Sequence, residues 1–208
     1  MLSLVGALVG GLALVAFVWY YFSPKFTDVG YMPEQPVPYS HALHAGQLGM
    51  DCRYCHNYVE QSPHANVPST QTCMNCHGVV ATESAKLLPV RQSWATGVPV
   101  EWVNVHHIPD YAQFSHAAHV NVGVGCETCH GRIDQMEVVH QVEPLSMGWC
   151  IDCHRDPSKA LRDPADVTQM GYFDAMSDVD REALIEENRQ RVASGEIQAP
   201  QNCSACHY

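Results

Sequence analysis

A mostly irregular, α-containing fold of short helices, headed by one long apolar helix, is what this sequence predicts, and three observations predict it. Residues 2–22 run LSLVGALVGGLALVAFVWYYF without a charged side chain. Beyond them, glycine, proline and short polar runs interrupt the chain so often that long helices and sheet have little room. Ten cysteines, finally, fall into five Cys-x-x-Cys pairs, a density that demands a disulfide, metal or cofactor explanation.

At about 1.5 Å rise per residue, some 20 residues span the hydrocarbon of a bilayer, so residues 1–24 read as a transmembrane anchor in membrane lipid. A cleaved leader would show a basic start, a shorter apolar core and a small-residue cleavage site. None of these is clear, and Trp19, Tyr20, Tyr21 and Phe22 resemble an interfacial aromatic belt. Gly6 and Gly10, four apart, either admit a neighbouring membrane helix or face lipid by chance. Residues 25–38, with Pro33, Pro36 and Pro38, read as an extended tether. Residues 39–208 form the remaining domain. One longer helix is predicted there: Ser177 caps it, Asp178 and Asp180 suit its N-terminal dipole, Leu184 and Ile185 give it an apolar side, and Gly195 ends it.

Acidic residues number 22 against 11 basic ones, a formal net charge of −11. That excludes nucleic acid as a partner, which needs a basic footprint, and favours a basic redox partner.

The five pairs stand as Cys52-Arg53-Tyr54-Cys55-His56, Cys73-Met74-Asn75-Cys76-His77, Cys126-Glu127-Thr128-Cys129-His130, Cys150-Ile151-Asp152-Cys153-His154 and Cys203-Ser204-Ala205-Cys206-His207. Two cysteines three apart fit within one helical turn, so both sulfurs reach the vinyl positions on one side of a porphyrin while the next histidine sits beneath its iron. Zinc accepts Cys-x-x-Cys but has no reason to require histidine after the second cysteine every time, and neither do disulfides. Iron–sulfur clusters use other spacings. The prediction is five covalently bound haem c groups (iron), with short helices around them: a multihaem c-type cytochrome fold. Because bacterial haem c is attached outside the cytoplasmic membrane, the chain after Phe22 is expected on the periplasmic side of the cell (inner) membrane.

Internal repetition is also present. Ser40-His41-Ala42-Leu43-His44 recurs 75 residues on as Ser115-His116-Ala117-Ala118-His119, and the first and third motifs lie 74 apart, the second and fourth 77. A two-haem unit has been duplicated and one further haem added. Each iron needs a second axial ligand, and in a helical S-H-A-x-H segment two histidines three apart project from one face. His41 and His116 are expected to complete the irons of the first and third motifs, with His44 and His119 reaching other irons. For the fifth, His106 in Val105-His106-His107-Ile108-Pro109-Asp110 is the first choice and Met147 in Ser146-Met147-Gly148-Trp149-Cys150 the rival. His64, His107 and His140 read as loop histidines.

A domain of this size has a radius of gyration of about 16 Å, so its haems lie close enough together to pass electrons. If every iron has two protein ligands, no position remains for a substrate, which argues for electron transfer rather than catalysis.

Over nearly its whole length the chain resembles the membrane-anchored pentahaem cytochrome c subunit of alternative complex III. The likeness rests on the N-terminal helix, the five motifs, the paired S-H-x-x-H segments, V-H-x-x-P-D around His106 and S-M-G-W-C-x-x-C-H-R from Ser146 to Arg155. It implies a place in a quinol:electron-acceptor oxidoreductase, with an iron–sulfur subunit, polytopic quinol-binding membrane subunits and a monohaem cytochrome c as partners. Electrons would pass from the iron–sulfur partner to a periplasmic cytochrome c or copper protein, without catalysis by this chain alone. The competing expectations are a self-contained membrane-anchored multihaem quinol dehydrogenase, a pentahaem nitrite reductase, disfavoured because its catalytic haem uses lysine where every motif here ends in histidine, and a cysteine-rich structural protein.

Overall fold

Twenty residues without a charge or a proline form the first helix, α1 (Leu2–Tyr21), in a computed structural model that describes residues 2–207. It is about 30 Å long, and its side chains from Ser3 to Tyr21 are exposed throughout, so by length and composition it can cross a membrane. Aromatic contacts close its end: Phe17 stacks on Tyr21 at 5.2 Å, and Tyr21 meets Phe26 at 4.4 Å in the short helix α2 (Pro24–Thr27).

Residues 25–38, expected as an extended tether, make hydrogen bonds to distant parts of the chain. After α2 it runs extended. Gly30 N–H donates to the Gln141 carbonyl and Gln141 N–H to Tyr31. The Gln35 amide exchanges two hydrogen bonds with Val103, and Val37 is buried. Proline prevents helix here, and the side-chain amide supplies bonds that a fully extended linker would take from water.

The rest is a succession of short helices: a π-helical turn Ala42–Gln47, α3 (Cys52–Cys55), α4 (Thr70–His77), α5 (Leu88–Thr96), α6 (His116–Val120), α7 (Glu127–His130), α8 (Met147–Arg155) and α9 (Asp178–Ala193). Among the described residues there is no strand, only isolated bridges joining Ala112 to His207 and Val124 to Leu161. Helix α9 follows the predicted caps: Ser177 Oγ accepts from Asp180 N–H, and Gly195 takes φ +79° just beyond its end. Its buried face carries Ile185 but also Asn188, whose Nδ2 donates to the carbonyls of Ser158 and Leu161. The polar residue is there to satisfy the turn beneath it.

Apolar packing is sparse for a chain of this length. The hydrophobic cluster of buried residues contains Val59, Val120 and Val167, far less than a domain of this size needs to offset its conformational entropy. One polar knot supplements it. Arg162, fully buried, donates to Glu127 at 2.8 Å and to the Gln169 carbonyl at 2.9 Å, with its guanidinium 4.5 Å from the Tyr172 ring centre. Glu127 also accepts from the N–H groups of Gly171 and Tyr172. The backbone at Gly123 and Gly125 lies so close to Arg162 that a Cβ at either would overlap it.

Replacing Arg162 by Met is expected to lower the unfolding free energy by about 3–5 kcal/mol, because Glu127 is left buried without its cation. Urea denaturation of the full chain, followed by circular dichroism, measures this. A loss below about 1 kcal/mol would equate the pair with a surface ion pair.

Candidate metal centres

All ten motif cysteines lie on, or at the ends of, short helices or turns: α3, α4, α7, α8 and the 3₁₀ turn Cys203–Ala205. Asp51 starts α3, accepting from the Arg53 N–H and pairing with its guanidinium at 2.9 Å. Arg53 holds the Asp51 carboxyl down at about 2. Ser146 caps α8 through the Trp149 N–H. Burial raises the thiols of Cys55, Cys73, Cys150 and Cys153, and pushes Cys129 up to about 12.

The histidines carry the more telling geometry. Seven of them place Nδ1 against a backbone carbonyl: His44 on Ser40, His56 on Asn66, His77 on Val80, His116 on Pro63, His119 on Ser115, His154 on Pro200 and His207 on Tyr111. A carbonyl only accepts, so Nδ1 carries the proton and Nε2 presents a lone pair, the arrangement of a metal-ligating imidazole. Asn66 takes the left-handed conformation (φ +74°) with its carbonyl on His56.

Four of those seven imidazoles face each other in two pairs, and His116 faces His130. Ring centres lie 6.2 Å apart for His44 and His77, 6.4 Å for His116 and His130, and 6.0 Å for His119 and His154. Two imidazoles sharing one metal ion, each at about 2 Å, stand at this separation. His41 is half-buried, with its buried Nδ1 lacking a protein partner; burial and then His56 lower it to about 4. Burial, before any neighbouring imidazole, likewise lowers His116 and His119, and takes His130 to about 3. The neutral ring is the form that binds metal.

The two S-H-A-x-H segments repeat one local structure. Tyr39 stacks on His44 at 4.5 Å and meets His41 edge-on at 4.8 Å; Phe114 stacks on His119 at 4.7 Å and meets His116 edge-on at 4.8 Å. Sequence reasoning missed these two aromatics, although they share the 75-residue offset.

Contacts place the motifs in an order that differs from their order in the chain. Asn75 in the second donates to Tyr54 Oη in the first. Thr168 Oγ1 donates to Asp51 beside the first, and Val167 accepts from Cys126 N–H in the third. The Cys126 thiol is held far above its ordinary range by the adjoining Cys52 thiol and by burial. Helix α6 spans the third and fourth, its His116 facing His130 and its His119 facing His154. His154 bonds to Pro200 and accepts from Gln201, just before the fifth. The attachment sites therefore run second, first, third, fourth, fifth.

Of the two candidates for a fifth second ligand, Met147 opens α8 one turn before Cys150, whose thiol is raised by burial and then by Cys206 of the fifth motif. His106 is engaged elsewhere, its Nε2 lying 3.3 Å from His130 Nδ1. His107 is exposed and bonds the Asn104 carbonyl.

The residues thus fit haem c: paired cysteines on single turns, each followed by histidine, and at three motifs a second imidazole at metal-sharing ring separation. Replacing Asp51 by Ala removes a helix cap and the bond from Thr168. It is expected to cost about 1 kcal/mol, read as a lowered denaturation midpoint with the covalent cofactor content unchanged.

Residues 112–208 match the family of cytochrome c7 and related cytochrome c. The menaquinone reductase multihaem cytochrome c subunit of Nitratidesulfovibrio vulgaris (strain Hildenborough) is 33% identical over 123 residues, 59% of this chain and 56% of that protein. The chain therefore spans a little over half the length of that relative. The likeness to cytochrome c7 covers residues 112–208, and the aromatic–imidazole packing seen there at Phe114, His116 and His119 is repeated at Tyr39, His41 and His44.

Proposed function

We propose that this protein is a membrane-anchored five-haem electron carrier within a quinone-linked respiratory complex, and not an enzyme on its own. The observation that carries the reading is the facing of imidazoles across 6.0–6.4 Å at three motifs, which leaves no axial position for a substrate at those three. Haem iron, when bound, supplies one-electron exchange; the chain supplies attachment, axial ligation and spacing. Cys52, Cys55, Cys73, Cys76, Cys126, Cys129, Cys150, Cys153, Cys203 and Cys206 form the thioethers. His56, His77, His130, His154 and His207 are proximal ligands. His41, His44, His116 and His119 oppose His56, His77, His130 and His154 respectively, and Met147 serves the fifth motif. Residues 1–24 form the anchor, 25–38 the connector and 39–208 the periplasmic domain.

Two likenesses support the quinone link: the relative is called a menaquinone reductase subunit, and the motif order resembles the pentahaem subunit of alternative complex III. The second implies an iron–sulfur subunit, polytopic quinol-binding subunits and a monohaem cytochrome c as partners. The acidic surface, net charge −11, suits a basic periplasmic acceptor.

Purification from native membranes is expected to yield a complex with those subunits; a lone chain that turns over quinol would instead establish a self-contained quinol dehydrogenase. A pyridine haemochrome assay should count five haems c per chain, and fewer would overturn the reading. His116→Ala should convert one haem to a high-spin, carbon monoxide-binding state without loss of haem. Wild type should show a methionine-to-iron charge-transfer band that Met147→Ala removes.

A further inference from the structure

We propose that His106 acts as the hydrogen-bond acceptor that orients His130 and sets the potential at the third motif, and is not itself an axial ligand. The proposal rests on the reading of His130 as a proximal ligand. At the other four motifs, the proximal histidine gives its Nδ1 proton to a backbone carbonyl: Asn66, Val80, Pro200 or Tyr111. At His130 alone the partner is an imidazole, His106 Nε2 at 3.3 Å, with the rings meeting at 79° and their centres 4.4 Å apart.

Tautomer logic fixes the roles. His130 faces His116 across 6.4 Å; its Nε2 then offers the lone pair and its Nδ1 carries the proton. His106 Nε2 must accept that proton, which leaves its own hydrogen on Nδ1 and no Nε2 lone pair free for an iron.

An imidazole nitrogen is more basic than an amide carbonyl, so it draws the Nδ1 proton away more strongly and makes His130 the more electron-rich ligand. An electron-rich ligand favours ferric over ferrous iron and lowers the potential. His106 therefore sets the third motif apart from the other four, in the middle of the order of attachment sites. Val105 beside it is buried, which holds the segment in place.

The test is a potentiometric titration of the holoprotein, with spin state and haem count, in wild type, His106→Gln and His106→Leu. Loss of the hydrogen-bond partner behind a metal ligand commonly changes metal affinity by at least about tenfold. A tenfold change in the ratio of ferric to ferrous stabilisation moves a one-electron potential by about 59 mV. The expected result is an upward shift of one potential by about that much in His106→Leu, and a smaller upward shift in His106→Gln, whose carbonyl still accepts. All haems stay low-spin. A new high-spin or carbon monoxide-binding haem in either variant would make His106 an axial ligand and overturn the proposal. Unchanged potentials would overturn it as well. Should His106→Leu fail to accumulate, His106→Gln decides on the same criteria. The wild-type haem count separates this outcome from failure of the five-haem reading itself.

Discussion

A neutral imidazole has one proton and one lone pair, and in this protein the backbone decides which nitrogen keeps the proton. Seven histidines hold Nδ1 against a carbonyl, so their Nε2 atoms are oriented before any metal arrives. The carbonyls come from helix starts, as at Ser40 and Ser115, or from loops such as Pro63, Asn66 and Pro200. Loop conformation that looks irregular is therefore specified. The left-handed turn at Asn66 is tolerated by asparagine better than by most residues, and it holds a ring in place.

The same design accounts for the thin apolar core. A chain that packs little around Val59, Val120 and Val167 rests little on its own hydrophobic burial, and porphyrins attached at the motifs would add large apolar faces there. The polypeptide contributes fixed polar points between them. Arg162 and Glu127 lock the third motif to the segment that follows the fourth, and Asn188 ties α9 to the turn at Pro157–Lys159. Burying a charge pair is costly unless its bonds are made; here the carboxylate accepts from two backbone N–H groups as well as from the guanidinium, while Arg162 Nε is left without a partner.

Duplication has been used to double a geometry as well as a motif. Each S-H-A-x-H segment carries two histidines on one face and is braced by an aromatic two residues before the first of them, Tyr39 or Phe114. One short element thus reaches two neighbouring centres, fixing their separation more firmly than two independent loops would. The two units meet through Asp51, Thr168, Cys52 and Cys126, which makes the first and third motifs neighbours and puts the second and fifth at the ends.

Much of this was readable from residue order alone. The uncharged run before Ser23, the cap and stop of α9 at Ser177 and Gly195, the five Cys-x-x-Cys-His sequences and the 75-residue offset are local or periodic signals, and local chemistry dictates them. Which histidine faces which, why the tether is pinned at Gln141 and Val103, and why His106 meets His130 depend on segments far apart in sequence. So does the burial of Asn188, whose polarity alone would place it at the surface. A residue's type tells what it can donate or accept; only the folded chain decides which partner stands within reach, because that distance is set by packing between segments and not by spacing along them.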